Sequence, residues 1–340
     1  MLAGPLVRQW RAPFPLDVRL ILAAHRRGAG DPAFCLGDDG AVWRTTLTPD
    51  GPGTLRVRGT AVRGTVAGGA GAMAVTAAPS SYDAERERDG GPLPPGVTLV
   101  SAAAWGPGAE WLIGTLPRLL GADDDPAGFV PAQQLLREAC RRFPGLRIGR
   151  TGRVLEALVP AVLEQKVVGA EAFRAWRWLL QRYGEPAPGP APGRMRVFPP
   201  PGVWASIPSW EWHRAGVEAV RARTVAAAAR AAGRLEEIAV MDSAAADARL
   251  RAIPGIGQWT SAEIRQRAAG DPDAVSVGDY HLPAAVGWAL AGRVVDDHGM
   301  LALLAPYAGH RHRVTRLVEL SGLRPPRRGP RLAPRDYRAW

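Results

Sequence analysis

Residues 250–282, LRAIPGIGQWTSAEIRQRAAGDPDAVSVGDYHL, constrain this chain more than any other stretch. A tight turn, Pro254-Gly255-Ile256-Gly257, leads into a run of helical spacing from Gln258 to Ala269. Gly255 and Gly257 permit positive φ or close backbone approach. Pro254 fixes the entry, and Ile253 and Ile256 can anchor the turn to a core. A glycine turn that opens a helix leaves unpaired N–H groups facing outward, which suits a phosphate. The plain alternative is an ordinary helical corner, and the turn alone favours that alternative.

Asp279 shifts the balance. It lies 22 positions after Gly257, preceded by Gly278 and followed by Tyr280-His281-Leu282 and the apolar run Ala284–Leu290. An aspartate here suits a helix N-cap. It also suits a carboxylate held at a helix start, towards whatever the glycine turn grips. Turn and carboxylate together point to chemistry on a nucleotide rather than binding alone.

These residues resemble the helix-hairpin-helix DNA glycosylases, in which the hairpin is followed by a Gly/Pro-rich loop and a catalytic aspartate. Within that superfamily the chain is most similar to the bacterial inducible 3-methyladenine branch. Pro254 to Thr260 resemble the hairpin, and Gly270-Asp271-Pro272-Asp273-Ala274 with Gly278-Asp279 resemble the loop. Val162-Leu163-Glu164-Gln165-Lys166-Val167 resembles the helix region that probes the duplex from its minor groove. Pro306-Tyr307-Ala308-Gly309-His310-Arg311 resembles the last block. The similarity spans roughly 150–320 in the right order. It implies a mainly α chain with a small N-terminal antiparallel β domain (α+β), two helical lobes and an active-site cleft between them.

The resemblance also implies residue roles. Asp279 is the expected catalytic carboxylate. It would stabilise an oxocarbenium-like sugar and position a water while the N-glycosidic bond breaks. One carboxylate suffices when the leaving base is already cationic, as N3- and N7-alkylated purines are. A flipped base needs aromatic faces, and a cationic base gains up to roughly 2 kcal/mol on them. Trp259, Tyr307 and Tyr280 are the candidates, with a core role open for each. Gln165, Lys166, Gly255, Gly257, Gln258, Thr260, His310 and Arg311 are the expected DNA contacts. Lyase-capable relatives carry a nucleophilic lysine where Trp259 stands, so a monofunctional hydrolysis is expected.

Two positions depart from the branch. Lys166 stands where an apolar wedge is usual; it could reach a phosphate or approach an abasic aldehyde, giving a weak secondary lyase activity. Glu263 stands where an aromatic is usual; it could make the pocket electronegative, but a solvated helix residue is the preferred reading. His281 is read as structural, and Asp123-Asp124-Asp125 as a solvated turn before Pro126.

Composition agrees with a polyanionic partner. The 340 residues carry 43 basic and 32 acidic side chains, a net charge of +11, and Lys166 is the sole lysine. Cys35 and Cys140 cannot supply the four thiolates of an iron–sulfur cluster. No metal and no cofactor are expected, although the resemblance allows a monovalent cation at the hairpin. Neither a signal peptide nor a membrane-spanning stretch is read. The expected protein is a cytoplasmic, nucleoid-associated monomer that acts on double-stranded DNA containing damaged bases.

Three parts are expected: a β-rich domain at 1–95, a helical domain at 96–323 and a basic, irregular tail at 324–340. Strand signals occur at 41–46, 55–58 and 73–76, with a loop at 79–96 and helical spacing from Val97 onward. Gly184 to Gly202 reads as a loop, and Trp204, Trp210 and Trp212 as packing around a helix start. The alternatives are a non-catalytic damaged-DNA binder with the same hairpin, or a glycosylase for a deaminated or oxidised base. A pure binder has no need of Asp279.

Overall fold

The computed structural model describes residues 4–61 and 97–326. The strand signal at 73–76, the loop at 79–96 and all but the first three residues of the tail lie outside them.

Five antiparallel strands form one sheet: β1 (Leu6–Ala12), β2 (Phe34–Leu36), β3 (Val42–Thr48), β4 (Gly51–Ala61) and β5 (Thr98–Trp105), in the order β1-β5-β4-β3-β2. The register sets Leu55 opposite Ala104 and Val57 opposite Ala102. With Val100 these residues bury one face of the sheet against helices α1 (Val18–Leu22) and α2 (Ala109–Leu119), where Leu22, Leu112 and Leu116 meet them. A Cβ at Gly53 would sit 2.5 Å from Leu112, so the glycine is what lets α2 lie this close. On the other face Trp43 stacks on Trp105, their ring centroids 5.4 Å apart.

The expected boundary at 95 therefore falls before the sheet is complete, and the helical spacing from Val97 belongs to a strand. β5 lies between β1 and β4, so most of its residues are buried and no period-two alternation marks it. Its alanines, good helix formers in isolation, serve here as small side chains beneath α2.

The helices form two cores. The larger is built on α4 (Val154–Leu163), in which every residue but Glu156 is buried. Around it pack α5 (Gly169–Tyr183), α6 (Pro201–Ser206), α7 (Ser209–Ala215), α8 (Ala219–Arg230), α9 (Ala232–Glu236), α10 (Ser243–Arg251) and α11 (Gln258–Ala268). An all-apolar helix has no solvent face to offer, so α4 must be central. The smaller core joins α3 (Gln134–Arg142) to α12 (Leu282–Ala291), α13 (Asp297–Leu304) and α14 (Arg311–Ser321). α3 is thus separated from its packing partners by the whole larger lobe. Trp204 and Trp212 are buried as expected, whereas Trp210 is 62% exposed. Among the described residues, no helix is long and apolar enough to cross a membrane.

In the acidic run 123–125, read as a solvated turn, Asp123 and Asp125 are exposed, but Asp124 is a clamp. The Asp124 side chain is fully buried and accepts from both terminal nitrogens of Arg313 on α14, one at 3.1 Å. It also accepts from the Ile148 amide at 3.0 Å. Asp123 pairs with Arg150 at 2.5 Å. The chain that leaves the sheet layer is so fastened to the last helix. Removing one partner of a buried pair strands the other charge, at about 3–5 kcal/mol. Asp124→Ala should lower the unfolding free energy by about that much in urea denaturation. The double variant Asp124→Leu/Arg313→Leu should lose less than the single one. Equal losses would refute the stranded-charge account.

Candidate active site

The hairpin forms between α10 and α11. Gly255 adopts φ 91°, and a Cβ there would lie 2.1 Å from the Thr224 hydroxyl. Ile256 is buried in the larger core and its amide donates to Ile253 O at 3.0 Å, which closes the turn. Gly257 is the backbone N-cap of α11, so the first amides of that helix face outward with Gly255, Gly257 and Gln258 exposed. Thr260 is not on that surface: it is buried and accepts from Gln165 Nε2 at 2.8 Å. The same amide nitrogen donates to Gly255 O at 3.0 Å. Gln165 therefore braces the hairpin from the end of α4, and Lys166 beside it is exposed.

The loop after α11 is held by its own aspartates. Asp271 accepts from Arg265 and from Ser243 Oγ, at 2.5 and 2.6 Å, and from the amides of Asp273 and Ala274. Asp273 accepts from the Arg311 amide at 3.0 Å and from both sides of its guanidinium. Burial alone would raise the Asp273 carboxyl; the Arg311 hydrogen bonds outweigh it and hold it below the usual carboxylate range. Arg311 is thus engaged in fixing the start of α14. His310 stands at that start with its ring 5.6 Å from Phe129. Both remain partly exposed at that helix start.

Gly278, at φ 89°, turns the chain into Asp279. Asp279 Oδ1 accepts from the amides of His281 and Leu282, both at 2.8 Å, at the start of α12. Its Oδ2 accepts from Trp259 Nε1 at 3.1 Å. The two amides and the indole N–H fix its orientation.

Trp259 and Asp279 open onto a cavity of about 230 Å³. Its walls come from α1 and the turn after it, from α11 and its loop, and from α14. The sheet layer contributes Ile21 and His25, at more than 230 positions from Trp259 in the chain; no signal in the sequence joins them. α14 contributes His312, Thr315, Arg316 and Glu319. Glu263, read as solvated, is a wall residue with only 13% of its side chain exposed. It accepts from Ser276 Oγ at 2.5 Å and from Arg267 NH1 at 2.8 Å. Its spacing to Arg267 is the helical i,i+4 pair that could have revealed it. Gln266 Nε2 donates to Ser276 at 3.0 Å and Arg267 Nε to Ala24 O at 3.1 Å, which ties loop, helix and sheet layer together.

Electrostatics within the wall is balanced. Burial works against the Arg267 charge, but Glu263 and Glu164 outweigh it and raise its pKa. Loss of solvent, then Arg44 and Arg267, push the His25 imidazole well below its ordinary range. Loss of solvent, then Arg316 and Arg267, do the same to His312.

Two expected aromatics are elsewhere. Tyr307 is 4% exposed in the smaller core; its hydroxyl bonds Gln133 and accepts from the Ala132 amide at 3.3 Å, and its ring lies 5.9 Å from Phe129. The short 3₁₀ turn Ala305–Tyr307 directs it inward. Tyr280 is 81% exposed and meets His281 edge-on outside the cavity. His281 lines the cavity mouth, where a structural role was expected. Among the described residues, Trp259 is the one indole or phenol ring in the cavity wall.

No family model matches the chain. Over 172 residues it is 33% identical to a Mycobacterium tuberculosis protein described as a probable bifunctional transcriptional activator/DNA repair enzyme AlkA. The match covers 48% of this chain and 34% of that protein, so the chain spans about a third of the length of the curated relatives it matches. The 3-methyladenine DNA glycosylase of Archaeoglobus fulgidus superposes with a TM-score of 0.69, at 15% identity, over 92% of this chain and 98% of that one. The 8-oxoguanine glycosylase/lyase of Clostridium acetobutylicum gives 0.64 at 9% identity, over 94% and 98%. The chain has the helix-hairpin-helix DNA glycosylase fold, with AlkA-like sequence over about half of its length.

Proposed function

We propose that the chain is a DNA glycosylase that hydrolyses the N-glycosidic bond of alkylated purines, 3-methyladenine among them, in duplex DNA and so begins base-excision repair. One observation carries this reading. A carboxylate oriented by two helix-terminal amides and by an indole N–H borders a cavity beside an exposed glycine hairpin. The hairpin amides suit a phosphate. The target nucleotide leaves the stack and its base rests against Trp259. Asp279 then faces the sugar, stabilises the positive charge that develops as the base departs, and positions the attacking water.

The indole–carboxylate bond makes Trp259 a positioning residue as well as a stacking face. His25 and His312, kept neutral, add no positive charge that would oppose a cationic base. A second reading, an oxidised or deaminated purine, draws on the polar part of the lining, where Glu263, Gln266 and Ser276 form a hydrogen-bonded chain in place of a second aromatic.

Asp279→Asn should lower release of 3-methyladenine from methylated duplex on the order of 10²- to 10³-fold, as for loss of a preorganised charge partner. Binding of the same duplex should persist. Release of hypoxanthine or oxidised guanine and not of 3-methyladenine by the unaltered chain would select the second reading. Binding without release of any base would refute a glycosylase.

Trp259→Phe keeps a ring face and loses the bond to Asp279. Single-turnover release should slow while apparent affinity for the lesion changes little; Trp259→Ala should reduce both. Equal effects of the two variants would remove the positioning role.

The imidazoles also set a pH dependence. Their folded pKa values lie below the ordinary value of 6.5, so the unfolded chain binds more protons as pH falls through that value. Stability should therefore fall as pH drops from neutral through 6.5 and below. The urea midpoint measured across that range should fall less steeply in His312→Gln.

A further inference from the structure

We propose a second activity: Lys166 attacks the aldehyde of an abasic site and cleaves the strand by β-elimination. The chain holds 43 basic residues and only this lysine. A guanidinium is never deprotonated in a protein and cannot act as an amine nucleophile. Side-chain imine chemistry in this chain thus rests with one residue.

The fold places that residue next in the chain to residues of the site and its hairpin. Two positions before it, Glu164 lines the same cavity as Asp279. One position before it, Gln165 is bonded to the hairpin at Gly255 O and Thr260 Oγ1, and Thr260 follows the indole that holds Asp279. Lys166 has φ 56°, and among the described residues it is the single non-glycine residue with positive φ. That conformation is unfavourable for a side chain with a Cβ and persists only where neighbours impose it. Here it is flanked by Gln165, bonded to the hairpin, and by Val168, the N-cap of α5. The side chain is exposed, and no carboxylate pairs with it among the described residues. The indole of Trp259 offers no competing nucleophile at the hairpin.

The chemistry balances without an oxidant or reductant. The Nζ lone pair attacks C1′ of the ring-opened sugar, and the carbinolamine loses water to give an iminium. A C2′ proton passes to water or to the Asp279 carboxylate. The C–H electron pair forms the C2′=C3′ bond and expels the 3′ phosphate. Hydrolysis of the conjugated imine returns the amine.

This inference rests on the reading of the hairpin as a DNA grip, and not on base release. It is tested on a duplex with a single preformed abasic site, using the full chain at a concentration that a gel shift shows to saturate it. Borohydride should trap a covalent adduct that peptide mapping places on Lys166. Without reductant, the strand should be cut 3′ to the abasic site. Lys166→Arg and Lys166→Gln, each taken to saturation and each checked for fold by circular dichroism, should lose the adduct and the cut. Binding with no adduct, or an adduct mapped to another amine, overturns the proposal alone. No binding of the abasic duplex overturns the hairpin reading with it.

Discussion

The buried pair of Asp124 and Arg313 is the constraint on which the rest of the site depends. Asp124 follows the sheet layer, and Arg313 sits in the first turn of α14. The cavity lies between these two parts and α11, so its width follows from how they are fastened. A second tie, Arg267 to Ala24 O, joins α11 to the turn after α1. Buried charges must be paired and hydrogen-bonded in one geometry. The two ties therefore place a sheet-borne imidazole and an α14 carboxylate around one space, to which neither element could contribute alone.

Within that space the geometry that orients Asp279 is local and much of the remaining wall is not. Asp279 is oriented by amides two and three residues ahead and by an indole twenty positions back, all within one hairpin-and-loop unit. The rest of the wall is assembled from Glu263 and Ser276 of that same unit, from His25 and from the face of α14. Its carboxylates are already satisfied by guanidiniums, which explains why Glu263 does not simply make the pocket electronegative. The wall is thus polar and internally hydrogen-bonded, with a single indole ring.

Much of this was legible in the residues. Gly255, Gly257 and Gly278 sit at backbone positions that demand them or that expose amides, and such positions announce themselves by residue type. Asp279 stood out because it stands at a helix start a short way after a glycine turn, in the order that the resemblance implies. The strands at 42–48 and 51–61 followed from branched and alternating residues. β5 did not, because a central strand buried over most of its length shows no alternation. Tyr307 was misplaced because an aromatic match along the chain does not say to which side a 3₁₀ turn directs the ring. Asp124 looked solvated because its partner lies 189 positions away.

By itself, the sequence determined the hairpin, the loop, the aspartate at the start of α12 and the one lysine, since these depend on backbone conformations and chemistries that only particular residue types allow. Only the tertiary structure decided which aromatic meets that aspartate, that the sheet layer and α14 wall the cavity, and that Arg311 grips Asp273 at the start of α14. Those outcomes are set by packing and charge pairing between segments far apart in the chain, and residue type carries no record of its distant neighbours.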